Sequence, residues 1–168
     1  MPRTVKNPEG TAWGWALKIL ARRQQSEEEI RRKLLARGFS GEEVAATIDR
    51  LKDAGLLDDA RFARDWAAYR LATRPVGRRR LRHELQEHGV VPALAEEIAG
   101  NLLYPEAELA AARELAGKYR RRPGENDDHY YRRLARFLWQ RGFSSHTVCR
   151  VLEELAGHIC IDRSKFNR

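Results

Sequence analysis

The residues of this chain best suited to chemistry are its arginines. Arg70, Arg74, Arg78, Arg79, Arg80 and Arg82 fall within one stretch that contains no acidic residue. A guanidinium is planar, permanently charged and forked, and so fits phosphate or carboxylate bidentately. The chemistry implied is recognition of a polyanion or an acidic partner; a solvated basic face in an arginine-rich chain is the plainer alternative. A second cluster, Lys118, Arg120, Arg121 and Arg122, continues to Arg132, Arg133 and Arg136, diluted by Glu125, Asp127 and Asp128. A third, Arg22, Arg23, Arg31, Arg32, Lys33 and Arg37, is interleaved with Glu27, Glu28 and Glu29, where i,i+4 pairs within one helix explain much of the pattern. From Glu84 to Glu114 the balance reverses, with Glu87, Glu96, Glu97, Glu106 and Glu108 set against Arg113. The expectation is a basic side and an acidic flank, suited to docking into a groove in one orientation.

Catalytic constellations are lacking. His83 and His88 are not at ligand spacing with each other, nor are His129, His146 and His158 with a cysteine or another histidine. Asp58-Asp59 reads as a helix start rather than a carboxylate pair. There is no glycine-rich phosphate loop and no GxSxG. The expectation is a non-enzyme without metal or cofactor. Trp13, Trp15, Trp66 and Trp139 read as core rather than base-stacking platforms, since three lie on apolar stripes.

Composition narrows the partners. A net charge of +8 in 168 residues points to nucleic acid, an acidic protein surface or an anionic membrane. A hydrophobic content of 42% supports cores, but thin ones if the chain is divided into small modules that lean on their neighbours. Cys149 and Cys160 give neither a CxxC pair nor a disulfide framework. Met1 to Gly10 lacks an apolar h-region, and no run is long enough to span a bilayer. The chain is expected in the cytoplasm.

The elements that must position these residues are stated more than once. Ile30, Leu34, Gly38, Phe39, Ser40, Val44, Ile48 and Leu51 return as Leu134, Leu138, Gly142, Phe143, Ser144, Val148, Leu152 and Leu155. A fainter copy, Leu81, Leu85, Gly89, Val90 and Leu102, lies between them. Self-similarity at such a period marks stacked supersecondary units. The expected fold is all-α, with a flexible arm at 1–11, helical repeats at 12–57, 58–104 and 105–157, and a basic tail at 158–168. In the first repeat a stripe of Trp13, Ala16, Leu17 and Leu20 forms one helix. Ser26 with Glu29 makes a capping box for the next, and Ser40 caps a third that ends at Gly55. In the second, Asp58 caps a helix carrying Phe62, Trp66, Tyr69 and Leu71. Leu81 and Leu85 turn inward on the following helix, which points Arg78, Arg79 and Arg82 outward. The Gly38-Phe39-Ser40 turn is a candidate DNA-reading turn, yet its echo at Gly142-Phe143-Ser144 marks it as a structural joint.

Three stretches resemble the RecX family, regulators of the RecA recombinase. Arg22-Arg23, Ser26 and Glu29-Ile30-Arg31-Arg32-Lys33-Leu34 are similar to the family's Arg-x-x-Ser-x-x-Glu-Leu-x-x-Lys-Leu stretch, followed by Gly38-Phe39. Gly55-Leu56-Leu57-Asp58-Asp59-Ala60-Arg61-Phe62-Ala63 is the most specific match. Gly77 through Gly89, with Arg80-Leu81 and Glu84-Leu85, is the third. The likeness covers residues 12–157; Ile30 stands where leucine is usual, and His88 where lysine is common. It implies an elongated, curved array of three three-helix repeats. It also implies a partner, the RecA filament on single-stranded DNA, in whose groove the chain would lodge; separately, a monomer with no membrane role is expected. Limited filament extension, ATP hydrolysis and co-protease activity would follow. The alternative is a helical-repeat protein that acts on free DNA directly.

Overall fold

The computed structural model describes residues 10–156, and every regular element among them is a helix. In chain order these are α1 (Ala12–Leu20), α2 (Glu27–Leu35), α3 (Gly41–Asp53), α4 (Asp59–Thr73), α5 (Arg78–Glu87), α6 (Pro92–Leu102), α7 (Pro105–Lys118), α8 (Asp127–Gln140) and α9 (Ser145–Ala156). Cys160 and the basic tail lie outside the described residues, as does most of the N-terminal arm. None of these helices is long and apolar enough to cross a membrane.

The helices start where side chains can meet their free amides. Thr11, Ser26, Ser40 and Asn126 accept from the backbone three residues on. The reciprocal capping box forms at Ser40, where the Glu43 carboxylate returns to the Ser40 amide at 2.8 Å. Ser26 caps α2, but Glu29 does not reach back. Its carboxylate is engaged by Arg23 and His88 instead, so the expected box at Ser26 is only half formed.

The chain gathers into two compact units. One comprises the chain up to Trp66 together with Leu85–Ala95, the other Ala67–Glu84 together with the chain from Glu96 onward. Helices α4, α5 and α6 each contribute to both. The first unit holds a core of Ala12, Ala16, Ile19, Ile30, Leu34, Phe39, Val44, Ile48, Leu51 and Leu57. The second holds Leu109, Ala112, Ala116, Leu134, Leu138, Phe143, Val148, Val151 and Leu152 among others.

Three apolar residues expected inward are not. Ala12, Ala16 and Ile19, spaced i, i+4 and i+7, form the buried face of α1, which turns Leu17 outward. Tyr69 is 71% exposed, because Phe62, Ala63 and Ala67 take the inner face of α4. Leu155 is exposed beyond Leu152 in the last turn of α9. The four tryptophans are half-buried at the edges of the cores rather than within them.

Candidate functional site

Two of the repeated turns, at Gly89 and Gly142, prove to be sockets, each receiving the N-terminus of an earlier helix. In the first unit α2 is seated against the α5–α6 turn. The Glu27 amide donates to Asp59 Oδ1 at 2.7 Å, and the Ser26 hydroxyl donates to the His88 carbonyl. A Cβ at Gly89 would fall well inside contact distance of the Glu28 side chain. His88 Nδ1 lies 2.8 Å from Glu29 Oε1, and its ring packs on Trp66 and Phe62. Burial raises the Glu29 carboxyl, but hydrogen bonding to His88 and the Arg23 charge outweigh it and hold it below the ordinary range.

In the second unit α5 is seated against the α8–α9 turn in the same way. The Gly77 amide donates to the Arg141 carbonyl at 2.9 Å, and the Arg79 amide to the Gly142 carbonyl at 3.3 Å. The Arg78 amide donates to Glu108 Oε1 at 3.0 Å. The other oxygen of this buried carboxylate accepts from Thr147 at 2.8 Å and from Ser144 at 3.1 Å. Both joints thus place an acid at a helix N-terminus, where free amides and the helix dipole favour it. The turns at Gly89 and Gly142 are covered by these contacts, which removes them as DNA-reading elements.

The second joint presents the start of α5, and with it the arginine strip; all six arginines belong to the second unit. The structure corrects the expected separation of basic side and acidic flank. Arg70 grips Glu84 through two bonds, at 2.7 and 3.0 Å, and Arg80 reaches the same carboxylate at 2.7 Å. Arg78 and Arg82 both reach Glu96 on α6, at 2.5 and 2.8 Å. Arg78 folds over Gly100, where a Cβ would come within 2.8 Å of its guanidinium, while 43% of its side-chain surface stays exposed. The cause is tertiary: helical packing brings two acids from the following stretch onto the strip. Burial raises the Glu84 carboxyl, but the bonds from Arg70 and Arg80 dominate and leave it below its ordinary value; Glu96 is lowered chiefly by Arg82 and Arg78. Arg74 and Arg79 are exposed and, among the described residues, make no ion pair.

The other clusters are partly engaged as well. In the first unit Arg31 pairs with Glu27 at 2.7 Å and Arg32 with Glu28 at 3.1 Å, both i,i+4. Arg23 meets Glu29 at 3.3 Å, while Arg22 is exposed. In the second unit Arg121 pairs with Asp127 and lies over Tyr130, and Arg132 pairs with Asp128. Arg133 binds Glu125 through two bonds, at 2.9 and 2.7 Å, and covers Tyr119; Arg122 is exposed. Among the described residues no group of His, Cys, Asp and Glu is poised for a metal.

The acids Asp59, Glu84, Glu96 and Glu108 were the organising residues that sequence reasoning missed. Each closes on a partner in another helix, and such pairs leave no local spacing to read. Two signals were available: Glu84 stands i,i+4 from Arg80 on α5, and Asp59 and Glu108 both stand in the first turns of the leading helix of their repeats.

Three family models match in series: the RecX first three-helix domain over residues 12–51, the second over 58–98 and the third over 106–152. The regulatory protein RecX of Chlorobium phaeobacteroides (strain BS1) is 34% identical over 146 residues, 86% of this chain and 93% of that protein. That of Mycobacterium ulcerans (strain Agy99) is 36% identical over 161 residues, 92% of each chain. Among solved structures, RecX from Lactobacillus salivarius aligns with a TM-score of 0.78 at 20% identity, covering 86% of this chain and 94% of that one. At that identity the likeness bears on the fold alone.

Proposed function

This chain belongs to the RecX family, and on that premise we propose that it is a non-catalytic, monomeric regulator of a RecA recombinase in the cytoplasm. It binds the recombinase filament on single-stranded DNA, in its groove, and limits filament extension, ATP hydrolysis and co-protease activity. This places it in DNA repair, recombination and SOS control. The three repeats, 12–57, 58–104 and 105–157, are its modules. The arginine strip of α4 and α5 is its gripping surface, with the first- and third-repeat clusters as auxiliary contacts.

Family membership across all three repeats carries the reading, and the strip's internal pairing sharpens which residues act. Among the described residues Arg74 and Arg79 make no ion pair, so they cost least to offer to a partner. Arg78 and Arg82 are held at Glu96, so neutralising them would strand that carboxylate and confuse a binding loss with a local rearrangement.

The experiment is inhibition of recombinase ATPase on preformed filaments by the Arg74→Gln/Arg79→Gln variant. Losing two charge-assisted contacts of about 1.5 kcal/mol or more each should weaken inhibition at least about a hundredfold. Unchanged inhibition by a folded variant removes the strip from the mechanism.

A further inference from the structure

Two grooves of the first unit adjoin along Ala21 and Gln25, and they differ in chemistry. The larger, of about 750 Å³, has a size typical of ligand sites. Lys18, Arg22, Arg23, Lys33 and Arg37 line it, and among the described residues no carboxylate does. Such crowding of like charge gains the fold nothing. Partial burial lowers the Lys33 ammonium, nearby Glu29 opposes this, and the charges of Arg23 and Arg37 add to the lowering. Carboxylates placed in the cleft would relieve that repulsion. The smaller groove, of about 330 Å³, is walled by Leu17, Leu20, Leu56 and Phe62. Of these Leu17 and Leu56 stay 37% and 49% exposed, so the groove has apolar surface left to bury.

The walls identify the occupant. Bases of a nucleic acid bind such grooves by stacking on open aromatic faces. Here Arg37 and Lys18 already lie over the Trp15 ring, 4.4 and 4.9 Å from its centroid, and Phe62 is buried. The open wall is aliphatic. Asp58 stands in the same groove, together with Gln24 and Arg61. Its Oδ1 accepts from the Arg61 amide at 3.0 Å, and a carboxylate keeps further lone pairs for another donor. A phosphodiester backbone brings only acceptors and is repelled by that charge. Each peptide unit brings an N–H as well as a carbonyl. Aliphatic wall, acceptor and cationic cleft together fit a peptide whose bulky aliphatic residues stand beside acids.

We propose that these adjoining grooves dock an acidic, aliphatic-anchored peptide segment of a partner protein. Its carboxylates enter the cationic cleft and its apolar side chains cover Leu17 and Leu56. The site goes beyond the filament reading, since it lies in the first unit, apart from the arginine strip, and needs neither recombinase nor DNA. Its failure leaves the filament assay untouched.

The test is fluorescence anisotropy of a labelled synthetic peptide, glutamates interrupted by two leucines, titrated with the full chain at several salt concentrations. Lys18→Gln/Arg22→Gln removes two exposed cations and should weaken binding about tenfold while flattening its salt dependence. The charge-keeping exchange Lys18→Arg/Arg22→Lys should restore both, which a merely structural role would not predict. Leu17→Asn/Leu56→Asn should weaken binding about tenfold with the salt dependence unchanged. Serines in place of the peptide's leucines should do the same without altering the protein. Inhibition of filament ATPase by the leucine variant should stay at the wild-type level. Unaltered affinity in the cation variant, with its thermal midpoint intact, overturns the proposal, as does equal binding of the serine peptide. Displacement of the peptide by bare oligothymidine at matched charge would assign the cleft to nucleic acid. Parallel loss of filament inhibition in the leucine variant would make the groove a filament contact. Either result overturns a separate peptide partner.

Discussion

Gly142→Ala is the most searching perturbation of the joint that carries α5. Gly142 has φ +85°, a left-handed conformation that costs an alanine about 1–2 kcal/mol. The added Cβ would also lie 2.5 Å from the backbone nitrogen of Arg80 and closer still to its Cβ. No flexible side chain can yield there, so the first turn of α5 must move away. That movement opens the Gly77–Arg141 and Arg79–Gly142 hydrogen bonds, worth about 1 kcal/mol each. The sum is about 3–4 kcal/mol. Gly124→Ala is the matched control: its φ is +72°, but nothing lies within 4 Å of the new Cβ, so it should cost only the strain of about 1–2 kcal/mol. Gly77→Ala isolates the other component, since its Cβ would run into the Gly142–Phe143 peptide without any left-handed strain. Overpacking of this kind costs about 1–3 kcal/mol. Urea unfolding followed by far-UV circular dichroism reads all three as shifts of midpoint at equal slope. Equal destabilisation by Gly142→Ala and Gly124→Ala would refute the close approach and with it the socket.

Two further outcomes concern the charges. Glu96→Gln frees Arg78 and Arg82 from their shared carboxylate. With exposed pairs worth up to about 1 kcal/mol each, inhibition of filament ATPase should strengthen by up to about fivefold per arginine and become more salt-dependent; weaker inhibition would mean that Glu96 positions the strip instead. The Glu125 carboxyl is lowered to about 2 by the Arg133 guanidinium and then by the Arg122 amide. A depressed folded-state value means that its contribution is fully present above the ordinary value of 4.5 and is lost as pH falls from there toward 2. Thermal midpoints of the wild type should therefore fall across that window by more than those of Glu125→Gln, and identical curves would remove the Arg133–Glu125 pair from acid stability.

What the sequence determined by itself was local and periodic. Apolar residues at helical spacing, glycines after helices and serines before them are decided within a few residues of one another. The all-α class, the repeats and the identity of the capping residues at Ser26 and Ser40 were legible for that reason. The likeness at Gly55 to Ala63 led to the family through the same kind of local signal.

Only the tertiary structure decided where the charges went. The strip from Arg70 to Arg82 has no acid in its own stretch, yet Glu84 and Glu96 reach it from the next turns and the next helix. Glu108 is an ordinary first-turn acid until folding buries it under Arg78, Ser144 and Thr147. The sequence pattern placed these residues on helices, but a long side chain chooses its partner by the surface that another helix brings within about 3 Å. Charge pairing of that kind is settled by packing, which is why Arg74 and Arg79 could be told from Arg70, Arg78 and Arg82 only in three dimensions, whereas the Arg80–Glu84 pair lies within one helix.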